Sequence, residues 1–237
     1  PQDHGARARA ALVAGYAFHF AGCNDAAQRW YEASRRHAIA EGDEAHLSAL
    51  MHNQAWMRAS QARMALLVGG GADPAAVTQA LMGAESIGHY DAGIGTASLG
   101  SLVPMLRAQV LTAQGRWAEA NELFVTHFDA ALAEGLKRIA SCLLADRAWC
   151  EFQLGHAERA RALAAAAEQE LQAGCDLDDR VLALARLAQV REALGDAAAA
   201  QRQRAESRAL HAAHREEQAR LLAQLEAALA GVDPKSV

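Results

Sequence analysis

The chain has 237 residues, 52% of them hydrophobic but only 5% aromatic, and a formal net charge of −5. That length allows one large domain or two small ones around a sizeable core, and the negative balance argues against the clustered basic face of a nucleic-acid binder. The apolar content is mostly Ala and Leu, prolines stand only at positions 1, 74, 104 and 234, and β-branched runs are absent, so the composition is all-α.

No apolar stretch approaches the roughly 20 residues that cross a bilayer; the nearest, "AALVAGYAFHFAG" (10–22), is short and holds His19. No signal peptide is visible. Cys23, Cys142, Cys150 and Cys175 show neither close pairing nor metal spacing, which points to a reducing cytoplasm. The first residue is Pro1 instead of methionine, an expected sign of a piece cut from a longer protein.

In chain order, the pattern predicts helices at 6–21 and 25–40, then 44–68 and 74–88. It continues with 98–114 and 117–134, 136–154 and 157–173, and 178–194 and 197–229. Asp43, Asp73 before Pro74, and Asp196 are the expected N-caps. The second pair is irregular: "GGGAD" (69–73) replaces a tight turn, and the glycine-spaced "GHYDAGIGTASLGS" (88–101) interrupts the series. The expected domains are a helical-repeat region, 1–204, and an extension of the last helix with its tail, 205–237.

A repeat underlies this order. "QGRWAEA" (114–120), "LGHAERA" (154–160) and "LGDAAAA" (194–200) place Gly115, Gly155 and Gly195 at intervals of 40, and "AGCNDAA" (21–27) is a further version around Gly22. Each glycine is followed five positions on by Ala27, Ala120, Ala160 or Ala200. Gly supplies the left-handed conformation that ends a helix, and Ala lets the returning helix come close. Gly42, Gly135 and Gly174 close the returning helices, the last two 39 apart. Repetition at this period means stacked helical hairpins.

These residues resemble the tetratricopeptide repeat (TPR) family. Its pattern of small residue, turn glycine, aromatic, alanine and second aromatic maps onto Ala108, Gly115, Trp117, Ala120 and Phe124. The first copy has Gly15, Gly22, Asn24, Ala27 and Tyr31. The last two copies carry Ala157 and Ala197 in place of the first aromatic, and the period is longer than the usual ~34 residues. The resemblance implies an all-α, right-handed superhelix of about five stacked hairpins, with a long C-terminal helix.

Reactive constellations are sparse. Glycines 88, 93, 95 and 100 lack the Gly-Lys-Ser/Thr and preceding strand of a phosphate loop. His211 and His214 share a helix face, but two ligands do not make a zinc site. "DLDDR" (176–180) opens a helix, where acids serve cap and dipole. No nucleophile is tied to a base. The expectation is a protein that is not an enzyme, with no catalytic residues, no metal and no cofactor.

Arg107 and Arg147 stand 40 apart, so stacking would form a ladder able to grip carboxylates or phosphates, or to pair internally with Asp146, Glu151 or Glu119. In TPR proteins the first helix of each hairpin lines a concave groove. By that resemblance the groove here holds Tyr16, His19, Phe20, Asn53, Trp56, Met57, Gln109, Trp149 and Gln189 beside the two arginines. Asn53, in "LMHNQAWM" (50–57), is similar to the asparagine with which such grooves hold a peptide backbone or terminal carboxylate, although the clamp's Lys and Arg partners are not evident. Trp56 and Trp149 fit ordinary packing equally well.

The final stretch, 196–229, runs without Gly or Pro and should outrun the stack. Leu210, Glu217, Leu221 and Ala228 form one seam, and Leu222, Leu225 and Leu229 another. Neither is a sustained heptad, so a solvated capping helix and a dimer-forming signalling helix both fit. With "LKRIASCLLADRAW" (136–149) and "DDRVLALARLAQVREALGD" (178–196), the arrangement resembles TPR-like sensor regions that precede bacterial diguanylate cyclase (GGDEF) domains. The resemblance implies a non-catalytic regulatory module that binds a protein, a peptide or a small ligand in its groove, and dimerises through the last helix. The alternatives are a stand-alone adaptor and the regulatory array of a transcriptional regulator. Neither nucleic acid nor membrane is an expected partner.

Overall fold

A computed structural model of the chain describes residues 3–71, 73–95, 100–171 and 175–235. Among these residues the structure is all-helical, 85% helix, with ten α-helices and no strand. The helices are α1 (His4–Phe20), α2 (Asn24–Glu41), α3 (Glu44–Leu67), α4 (Pro74–Ile94), α5 (Leu102–Ala113) and α6 (Trp117–Ala133). After a short 3-10 turn at Leu136–Ile139 come α7 (Ala140–Gln153), α8 (Ala157–Leu171), α9 (Leu177–Ala193) and α10 (Ala197–Ala228).

The forty-residue signature builds one turn four times over. Gly22, Gly115, Gly155 and Gly195 have φ of 77°, 76°, 86° and 86°, conformations costly for any residue with a Cβ. After each, the next backbone N–H reaches five residues back, from Cys23 to Phe18 O, Arg116 to Leu111 O, His156 to Glu151 O and Asp196 to Arg191 O, at 2.8–3.0 Å. This bond satisfies a carbonyl that the helix end would leave open. Ala27, Ala120, Ala160 and Ala200 are all buried, as close helix return requires.

The caps follow the same local rules. Asp43, Asp73 and Asp196 accept from the amides of His46, Ala75 and Ala199, and Asp3 does the same for Ala6. Asp176 begins α9 without a side-chain cap bond and pairs with Arg138 instead.

Two boundaries differ from expectation. The helix expected to stop at 88 continues as α4 to Ile94, passing through Gly88 and Gly93; an interior glycine costs only about 1 kcal/mol, which neighbouring packing can offset. Of the expected 88–101 loop, residues 96–99 lie outside the described residues, as does the helix stop at Gly174. Ser101 is held by Glu134, whose carboxylate accepts from its amide and its hydroxyl.

The chain divides into two compact units whose limits fall inside α3, α4 and α10. The first comprises Pro1–Met57, Ser86–Thr96 and Arg215–Val237. Its core joins Phe18, Ala27, Trp30, Tyr31, Ala33 and Leu50. A Cβ on Gly15 would lie 2.6 Å from Tyr31 Cδ1, so α1 and α2 meet in a way only glycine permits. The last turns of α10 do not outrun this unit: Leu222, Leu225 and Leu229 pack on its core, and the Gln218 amide donates to Phe20 O at 2.7 Å. Of the two expected seams, that of Leu222, Leu225 and Leu229 thus packs within the chain, because the α1–α2 hairpin leaves an apolar face that those leucines fill.

The second unit comprises Arg58–Glu85 and Ala97–His214. Within it α5 packs on α6, α7 on α8, and α7 touches α5, α6 and α9 in turn. Leu143, Leu182, Leu187 and Val190 are fully buried there, and Ser207 of α10 donates to Val181 O.

Candidate ligand-binding site

Eleven residues are candidates from the sequence, six in the first unit, where Phe20 is half-buried, and five in the second. In the first unit Tyr16 is exposed, His19 is buried with its Nδ1 3.3 Å from the Tyr31 hydroxyl, and Met57 is core. Asn53 and Trp56 are half-buried on α3. The same unit holds a polar triplet: the Ser48 hydroxyl donates to Asp91 at 2.6 Å, and His52 Nε2 meets the other oxygen at 2.8 Å.

In the second unit Gln109 is buried with Nε2 lacking a partner, while Trp149 and Gln189 are half-buried. Arg107 approaches Glu85 at 3.7 Å, and the Arg147 Nε is buried without a hydrogen bond. The acids considered as their partners are engaged elsewhere. Glu119 holds Arg116, Glu151 holds Asn121 and His156, and Asp146 holds a different pair of arginines.

That pair was not foreseen. Asp146 on α7 is 0% exposed and accepts from Arg63 Nη2 of α3 at 2.6 Å and from Arg186 Nε of α9 at 2.8 Å. Arg63 and Arg186 are each 3% exposed. Asp146 and Arg186 are themselves 40 apart, the same interval as Arg107 and Arg147, and here one member of the pair is a carboxylate. Two guanidiniums share one carboxylate, and Arg63 Nε and Arg186 Nη2 are left without partners. Buried charge is tolerated only with such compensation, and here the compensation is incomplete toward the positive side.

A second buried acid lies nearby. Asp179, 4% exposed, has its carboxyl pushed up to about 7 by burial, reinforced by Asp178 and opposed by Arg63 and Arg138. Asp176, Asp178 and Asp179 come within 4.8 Å of one another, with Arg138 as their counter-charge.

Arg186 also connects this network to a cleft. Its Nη1 donates to Gln189 Oε1 at 2.7 Å, and its Cζ lies 5.7 Å from the Trp149 ring centroid, a cation–π distance. Gln189 lines a cleft of about 310 Å³ within the second unit. Its lining combines apolar Leu66, Leu67, Val68 and Ala185 with polar Glu192, Arg204, Ser207 and Arg208. Arg204 is paired with Glu192 at 2.5 Å, and the Ser207 hydroxyl is bound to Val181 O. Arg208 is exposed and makes no ion pair among the described residues.

Two of the thiols are buried in the second unit. Cys142 donates to Asp179 O, and burial pushes the Cys150 thiol up to about 12, leaving almost no thiolate at neutral pH. All four cysteines are free.

Comparison with protein families, curated proteins and solved structures finds no match to the chain. Among the described residues no helix is long and apolar enough to cross a membrane.

Proposed function

We propose that this chain is a non-catalytic regulatory module, a TPR-like array of about five hairpins wound as a right-handed superhelix, that binds a protein, peptide or small ligand in the cytoplasm. The observation that carries the reading is the fourfold recurrence of one turn, a left-handed glycine followed by a buried alanine, at intervals of 40 in its last three copies. Arrays of this kind present wide surfaces on rigid elements, which suits recognition more than bond-making. The cleft supports the same reading. Its one hydroxyl nucleophile, Ser207, is tied to a backbone carbonyl, so the lining favours binding over chemistry.

The preferred setting is the sensor of a larger bacterial signalling protein such as a diguanylate cyclase. A stand-alone adaptor or the array of a transcriptional regulator is the second reading, favoured by the way α10 ends on the chain's own core. The reading frame beyond Val237 tests the choice. A cyclase or DNA-binding domain there, with turnover or DNA affinity that changes on ligand binding, supports the sensor. A stop codon supports the adaptor, and a catalytic activity in residues 1–237 alone overturns both.

A further inference from the structure

We propose that the 310 Å³ cleft of the second unit binds a small organic carboxylate with an apolar body, a ligand class that refines the regulatory-module reading and rests on it. The volume is at the low end of the ~300–1,000 Å³ of small-molecule sites and suits a compact acid. Leu66, Leu67, Val68 and Ala185 supply apolar lining.

The polar end selects charge. An arginine can only donate, so the bond from Arg186 Nη1 fixes the Gln189 amide with its oxygen inward. The amide NH2 is the end left to donate, and it makes no hydrogen bond to protein among the described residues. Arg204 is paired with Glu192, whereas Arg208 brings a positive charge that enters no ion pair among the described residues. Behind Gln189 the buried pair of guanidiniums on one carboxylate adds further positive potential, with Arg186 Nη2 unsatisfied. A carboxylate accepts from both a guanidinium and an amide, and charge-assisted bonds of this kind are about twice as strong as neutral ones. The two side chains at this end without a partner in the cleft, the Gln189 amide NH2 and the Arg208 guanidinium, are both donors.

Titration of the whole chain with 3-phenylpropanoate, hexanoate and the neutral 3-phenylpropanamide, followed by amide NMR, tests this. The expected result is saturable binding of at least one acid, with shifts at 66–68, 185–192 and 204–208. The phenylpropanamide should bind about tenfold more weakly than its acid. Arg208→Gln should weaken acid binding by about tenfold and leave amide binding unchanged, with Arg208→Lys retaining most of it. Arg208 is exposed, so these variants keep the parent's thermal melt.

Saturation by neither acid, equal binding of acid and amide, or an unaltered acid affinity in Arg208→Gln overturns the proposal. So does a short peptide ending in Phe that outcompetes 3-phenylpropanoate, which would assign the cleft to a chain terminus. Failure here with an output domain downstream removes the ligand class and leaves the sensor. A stop codon after Val237 with acid binding intact does the reverse.

Discussion

The two units bury polar side chains by different means. In the first, hydrogen bonds between groups that can be neutral dominate. Ser34 donates its one hydroxyl hydrogen to Ala8 O, so His46 Nε2, 2.7 Å away, must carry the hydrogen it shares with Ser34. His4 meets His37, and His19 meets Tyr31, in the same style. In the second, Arg63, Asp146 and Arg186 place full charges at almost fully buried positions. Losing one neutral partner leaves a penalty of about 1–3 kcal/mol, whereas orphaning a buried ion costs about 3–5. The second unit's interior is therefore the more specific in its pairing and the less forgiving.

The largest test breaks that contrast directly. Asp146→Ala leaves two guanidiniums buried together and should cost about 3–5 kcal/mol in urea denaturation. Replacing all three residues by Met or Leu of similar volume should recover most of it, since apolar isosteres of buried ion pairs are often neutral or better. If the single and triple changes cost the same, the charges are not what makes this interior demanding.

The units should also answer pH with opposite signs. Asp179 has a raised folded pKa of about 7 against an ordinary 3.8. Its contribution is full below the ordinary value and is lost as pH rises through about 7, a change of at most about 4 kcal/mol from that shift. Asp179→Asn should therefore gain on the parent progressively between those limits and by a constant amount above them. His46 is lowered, first by burial, then by Arg9, with Asp43 opposing. Its contribution is lost instead as pH falls below 6.5. Amide hydrogen exchange at pH 5.5 and pH 8 should thus show the first unit opening more readily in acid and the second more readily in base, after correction for intrinsic rates. Parallel responses would remove the distinction.

Smaller effects sharpen the first unit. Gly15→Ala drives a methyl into the Tyr31 ring and should cost about 1–3 kcal/mol by thermal melting. Leu225→Ala, on a partly buried leucine, should cost about 1–2 kcal/mol while light scattering gives the parent's mass. A fall in mass would mean that the leucines hold two chains together. Least of all, Arg208→Gln should leave stability within about 0.5 kcal/mol of the parent.

The sequence by itself determined what is local. A left-handed turn admits glycine almost alone, a close helix return needs alanine, and an aspartate caps the amides beside it. Hence the turns at Gly22, Gly115, Gly155 and Gly195 and the caps at Asp43, Asp73 and Asp196 could be placed residue by residue. The period also implied that residues 40 apart would meet, as Asp146 and Arg186 do, yet it gave no sign of which such pairs would be buried together. In alanine-rich helices small side chains face every direction, so the pattern barely marks which face turns inward. Only the tertiary structure decided that Arg63 reaches Asp146 across 83 positions, and that the leucines of α10 return to the first hairpin. Such meetings depend on how whole helices pack, because a long side chain is held where neighbouring helices leave room for it.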